Sequence, residues 1–301
     1  MFNSARAVSA NERGRRADDE GRDDIAESHY RKAIDLDPKY EPAWFNLGLV
    51  FKRRRDWANC LRVNLQAVEL DPRPQQPAWW NIGIAATALR DWTTARRAWR
   101  GYGISIPDGE GPIDADFGPA PIRISPDKNG EVVWCHRIDP ARAVIESVPL
   151  PDSGHHHGDI VLHDGQPNGE REAFGRVLSV FDELELWKAS DVATIVAQVT
   201  CPTEADAHAL SEMADAAKLP SEDWTASIRP LCKACSEGRP HESHDRDGGV
   251  GWRMVRDFGF AGDLAATQDL LDRWVALCLG AGYRIAPQRI TDAVVIAPVR
   301  S

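Results

Sequence analysis

The chain has 301 residues, 43% of them apolar and 27% charged: long enough for two or three domains, too apolar for disorder, and without the ~18-residue apolar run of a membrane helix. Six cysteines are too few for a disulfide scaffold of this length, and Met1-Phe2-Asn3-Ser4-Ala5-Arg6 leads into charged residues instead of an apolar leader core, so membrane, fibrous, collagen-like and small secreted classes are excluded and a reducing, cytoplasmic setting is expected. The net charge of −10 is uneven: residues 1–108 hold 18 Lys+Arg against 15 Asp+Glu, leaving 18 against 31 for the remainder, and that acidic remainder would repel a phosphate backbone, which disfavours nucleic acid as a partner.

Helical signals come first, and they recur. Gly14, Gly48 and Gly83 lie 34 and 35 residues apart, as do Pro38, Pro72 and Pro107. Between them repeat Trp44-x-x-Leu47-Gly48 and Trp79-x-x-Ile82-Gly83, then Ala26-x-x-x-Tyr30 and Ala95-x-x-x-Trp99. The small residues suit a close crossing of two helices, the large ones fill the space beside it, and the prolines end each helix pair. Repeat one departs from the pattern with Ala10 and Arg13, and repeat two with Cys60 and Asn64.

This pattern resembles the tetratricopeptide repeat (TPR) family over residues 7–108, as three helix pairs of an α-solenoid. The resemblance implies that the first helix of each pair lines a concave groove that holds an extended peptide. The positions it marks are Asn11, Arg15 and Asp18; Phe45, Asn46, Leu49, Lys52 and Arg53; and Trp80, Asn81, Ile84 and Thr87. Asn46 and Asn81 recur at one repeat position, where an amide can both donate to and accept from a ligand backbone. The carboxylate clamp of some relatives is matched only at Asn46. The protein's own C-terminal part is an alternative occupant of the groove.

Residues 109–190 change to short alternating runs punctuated by Pro and Gly, which predicts a small all-β domain of SH3 or OB barrel type. Strands are expected at Ile122–Ile124, Glu131–Ile138, Ala141–Val148, Asp159–Leu162 and Arg176–Leu178, with Phe181–Trp187 ambiguous. Here also lies the densest histidine cluster, His155-His156-His157-Gly158-Asp159.

Residues 191–301 read β-α-β-β-α-β, the order of a ferredoxin-like α+β domain. Strands are expected at 192–200, 224–229, 252–258, 283–286 and 292–297, and helices at 203–217, opened by Thr203-x-x-Asp206 as a capping box, and 263–279. Within this domain stand Cys232-x-x-Cys235 and His241-x-x-His244, two thiolates and two imidazoles inside 13 residues. That donor set suits a closed tetrahedral structural zinc in an insertion too polar to bury a core.

The expected function is a protein–protein interaction adaptor, with the partner segment held by Arg15, Phe45, Asn46, Leu49, Lys52, Arg53, Trp80 and Asn81. The acidic C-terminal region would be a second surface, in one variant that of a bacterial immunity or antitoxin protein. The alternative is a metal-dependent enzyme with the repeats as targeting module, its site at the His155–His157 loop or at the Cys232/Cys235/His241/His244 cluster.

Overall fold

The computed structural model describes residues 4–128, 130–173, 175–227 and 252–286. They fall into two compact units, Met1–Ile145 with Asp159–Ala189, and Glu146–Gly158 with Ser190–Ser301.

The first unit begins with six helices, α1 (Ser4–Asp19), α2 (Asp23–Leu36), α3 (Glu41–Arg53), α4 (Trp57–Leu70), α5 (Pro77–Ala88) and α6 (Trp92–Tyr102). They pack as consecutive pairs, with α1, α3 and α5 also neighbours along one face. Each pair closes on the repeating glycine: a methyl group at Gly14, Gly48 or Gly83 would overlap Tyr30, Asn64 or Trp99 of the facing helix. The turn between the helices of each pair carries one left-handed residue at a fixed repeat position, Gly21 (φ 70°), Arg55 (φ 58°) and Arg90 (φ 62°). Asp56 and Asp91 follow and cap the second helices, accepting from the Asn59 N–H at 3.2 Å and the Thr94 N–H at 3.0 Å.

Five strands follow: β1 (Pro119–Ile124), β2 (Glu131–Arg137), β3 (Arg142–Ile145), β4 (Ile160–Ala173) and β5 (Arg176–Lys188). Sequential neighbours pair antiparallel, and a parallel β1–β5 pairing at Ile122↔Phe181 closes the barrel. The stretches 176–178 and 181–187 are thus one continuous strand. Ile122, Ile124, Val133, Cys135, Ala143, Ile145 and Val161 share a core of their own. Outside it, Ile113, Ala141 and Leu162 join Leu47, Phe51, Ile84 and Trp99 of the helices in the main core. Helices and barrel share buried side chains and form one body.

The second unit carries β6 (Thr194–Thr200), α7 (Glu204–Ala216), β7 (Ser221–Asp223), the single turn α8 (Trp224–Ser227), β8 (Val255–Ala261), α9 (Leu264–Leu277) and β9 (Gly282–Ile285). The sheet order β7-β8-β6-β9 is antiparallel throughout. Alternate residues Ile195, Ala197, Val199, Phe258 and Phe260 meet Leu210, Leu270, Leu271 and Trp274 in its core. The Thr203/Asp206 capping box is present. The strand expected from Trp224 is instead β7 followed by a helical turn. The reason is the indole: it lies over Gly259, where a methyl group would collide with it, and its N–H donates to the Val148 carbonyl at 2.8 Å. The strand expected at 252–258 runs three residues later, as Val255–Ala261. The zinc set Cys232, Cys235, His241 and His244 and the strand expected at 292–297 lie outside the described residues. Among the described residues, no helix is long and apolar enough to cross a membrane.

Candidate partner-binding site

The neighbouring first helices α1, α3 and α5 present the positions expected to face a ligand, and the structure divides them by what they already touch. Asn11 is buried and accepts from the Asn46 amide at 3.0 Å, tying α1 to α3. Asn81 is buried too; its amide faces the Asn64 side-chain oxygen at 3.4 Å, while the Asn64 amide donates to the Cys60 carbonyl at 2.8 Å. The two recurring asparagines therefore make amide contacts from helix to helix within the solenoid.

Arg53 pairs with Asp18 and, at 2.8 Å, with Asp23. Asp18 also accepts from the Tyr30 hydroxyl at 3.3 Å. Arg15 is exposed and meets Glu12 of its own helix at 3.3 Å. Phe45 and Leu49 are half-buried, and Phe45 leans on the cluster of Ala67, Val68, Ala78 and Ile82. Phe45 and Leu49 are thus half-buried apolar residues among these positions, and Arg15 and Arg53 exposed cations, each already paired with a neighbouring carboxylate.

At the other end of the face the chain's own barrel is already seated. Opposite β5, strand β4 takes four steps from His163 to Pro167 where β5 takes two, from Glu183 to Phe181. Asp164-Gly165-Gln166 thus stand where β5 has Asp182 alone, two residues in surplus, and bulge out of the ladder. Asp164 reaches Lys52 of α3, with its oxygens 2.8 and 3.1 Å from Nζ, and accepts from the Gln166 backbone N–H at 3.2 Å. Gly165 lies against the Trp80 indole of α5, leaving no room for a Cβ. Trp80 is held in turn by edge contacts with Trp99 at 5.1 Å and Tyr102 at 4.9 Å. Beyond the bulge, the Trp187 indole donates to the Thr87 carbonyl at 3.3 Å and the Trp57 indole to Glu185 at 3.0 Å.

The join is locked by Arg142. Its guanidinium bonds Asp139 and the Ile113 carbonyl and lies over both Trp92 of α6 and Trp187 of β5, at 4.8 and 4.5 Å. Neither Arg142 nor the bulge is marked in the sequence: the expected strand stops at Leu162, and the extra residues of β4 show only against β5.

In the histidine loop, two of the three imidazoles face nearby backbone carbonyls. His155 Nδ1 faces the Ser153 carbonyl at 3.2 Å, and His157 Nδ1 faces the carbonyls of Glu146 and Ser147 at 3.0 and 3.3 Å. Among the described residues, no three His, Cys, Asp or Glu side chains converge as a metal site would require. His163, at the root of the bulge, is fully buried; its Nδ1 faces the Asp164 carbonyl at 2.9 Å, and its ring lies 5.4 Å from that of Phe181. Burial and the nearby Arg137 push its pKa down to about 4, so the ring is neutral at pH 7.

The three helix pairs are similar to tetratricopeptide repeats of solved structures. No protein-family model matches the chain, and no curated protein is similar enough to match. Among solved structures, the first TPR of Spaghetti (RPAP3) bound to the HSP90 peptide SRMEEVD is similar, with 24% identity over 34% of this chain and 79% of that one, at a TM-score of 0.32. The N-terminal domain of stress-induced protein-1 (STI-1) from C. elegans is similar as well, with 23% identity over 33% of this chain and 86% of that one, at a TM-score of 0.31. Both likenesses concern the repeats alone.

Proposed function

We propose that the protein is a protein–protein interaction adaptor that binds an extended segment of a partner along α1, α3 and α5. The observation that supports this is that Phe45 and Leu49 of α3 stay half-buried while Arg15 of α1 and Arg53 of α3 stay exposed, at positions the repeat pattern assigns to the ligand face. Apolar anchors give such a face affinity, and its cations favour acidic neighbours. Asn46, Lys52, Trp80 and Asn81 form the framework beneath and beside these residues. The acidic remainder of the chain is a second surface suited to a basic partner, as in an immunity or antitoxin protein. Cys232, Cys235, His241 and His244 hold a structural zinc. One zinc per chain is expected in untagged protein, lost in a Cys232→Ser/Cys235→Ser variant that also melts earlier; zinc absent from the wild type, or kept by the variant, removes the assignment.

The test of the adaptor reading is selection of linear peptides on the full chain from a displayed library. Selected peptides should bind the wild type and lose at least tenfold in affinity with Leu49→Asp or Arg15→Glu, while the melting temperature holds. If nothing is selected, or if binding ignores both substitutions, the repeat face is not the binding surface.

A further inference from the structure

We infer that the Asp164-Gly165-Gln166 bulge is an internal stand-in for part of the ligand, so that a partner segment carrying a carboxylate next to a glycine competes with it for Lys52 and Trp80. This rests on the repeat face being the binding surface, and adds to it the chemistry of the segment.

Three observations carry it. First, the bulge is surplus to the ladder: β4 and β5 pair before it, at Leu162↔Glu185 and His163↔Glu183, and after it, from Pro167↔Phe181 onward. It can leave the helices while the barrel stays closed and its apolar seam with the repeats stays buried. Second, its contacts are of the kind a peptide makes: one carboxylate on one lysine, with side chains 19% and 12% exposed, and one glycine so close to an indole that no side chain fits between. Third, the fit is incomplete. Trp80 Nε1 is buried with no hydrogen-bond partner among the described residues, and it is one of the three atoms nearest to where a Gly165 Cβ would stand. A buried N–H left unpaired is costly, and an occupant that brought a carbonyl to it would be preferred. The bulge satisfies Lys52 and leaves Trp80 unsatisfied, as a displaceable occupant does.

The probe is a labelled synthetic peptide with the sequence of residues 160–168, Ile-Val-Leu-His-Asp-Gly-Gln-Pro-Asn, measured against the full-length protein. Asp164→Asn in the protein loosens the internal occupant, so it should bind the probe at least tenfold more tightly than wild type. Lys52→Gln should abolish that gain, and the same peptide with Asn for Asp should not bind. On the wild type, saturating probe should speed hydrogen exchange at the amides of 164–166, a readout that does not depend on how well a variant folds. Equal affinity for wild type and Asp164→Asn, or exchange at the bulge unchanged by bound probe, overturns the inference. If library peptides still bind and still depend on Leu49, that failure leaves the adaptor reading standing; if no peptide of either kind binds, both fall.

Discussion

Gly21, Arg55 and Arg90 occupy one repeat position and one left-handed backbone conformation, yet only the first is glycine. For an arginine that conformation costs ~1 kcal/mol, because its Cβ crowds the following carbonyl. Arg90 recovers part of the cost by stacking on Trp187 at 4.3 Å, whereas Arg55 has an exposed 3.7 Å ion pair with Asp127. Arg55→Gly should therefore stabilise the protein by about 0.5–1 kcal/mol in urea unfolding, and Arg90→Gly by less; equal gains would contradict the role given to Trp187. His163 sets a pH dependence from the same scale. Its folded pKa of about 4 lies below the unfolded ~6.5, so between those values the unfolded chain binds the proton and the folded one does not. The stability tied to the neutral ring is whole above pH ~6.5 and is lost as pH falls toward 4, about 2–3 kcal/mol by pH 4.5. Arg137 on β2 opposes the proton, and Asp164 beside the ring favours it. Urea midpoints at pH 7 and 4.5 should fall further for wild type than for His163→Gln; parallel falls would show that His163 is not the group responsible.

Individual helices were legible in the sequence because their determinants are local and recur: a small residue at the helix crossing, large side chains beside it and a terminal proline, each about 34 residues on. Strand positions in the barrel were half legible. Alternation marked β1 and β2, but the β5 run was cut in two because Ser179 and Val180 carry no sign of which partner strand they follow. The bulge was illegible for the same reason, since its surplus exists only relative to β5. The asparagines show the limit in the candidate site: their spacing is visible in the sequence, but whether an amide faces a ligand or the next helix depends on packing. Arg142 is the clearest test at this scale, because α6, β3 and β5 converge on it. It is 3% exposed and pairs with Asp139, which is fully buried. Arg142→Met leaves that carboxylate without its counter-ion and should cost about 3–5 kcal/mol, while Arg142→Met/Asp139→Asn, which removes the charge but keeps an oxygen for the Ala141 and Arg142 N–H groups, should recover much of the loss. A double variant as unstable as the single one would place the cost in the lost indole stacking instead.

Charge and pattern both break near residue 108, where the repeats end, and three repeats are about the fewest that stack, so the last one needs something to pack on. The first unit provides it. Repeat arrays need a cap on their last helices, and here Ile113, Ala141, Leu162, Leu184 and Trp187 supply it, meeting Ile84 and Trp99 in one apolar core. Burial of one large apolar side chain contributes about 1.5–3 kcal/mol, so a fragment ending at 108 that bares Ile84 and its neighbours gives up most of the 5–15 kcal/mol that holds an ordinary domain together. A fragment of residues 1–108 should melt at least ~15 °C below the first unit of the full chain, or without a cooperative transition, and should bind a hydrophobic dye. A fragment of residues 1–189 keeps the barrel and should restore the transition and release the dye. Melting of the 1–108 fragment at the temperature of the longer one would mean that the repeats cap themselves. In that case the barrel, bulge included, would be an attachment free to leave the repeat face, and a partner could replace all of it instead of three residues.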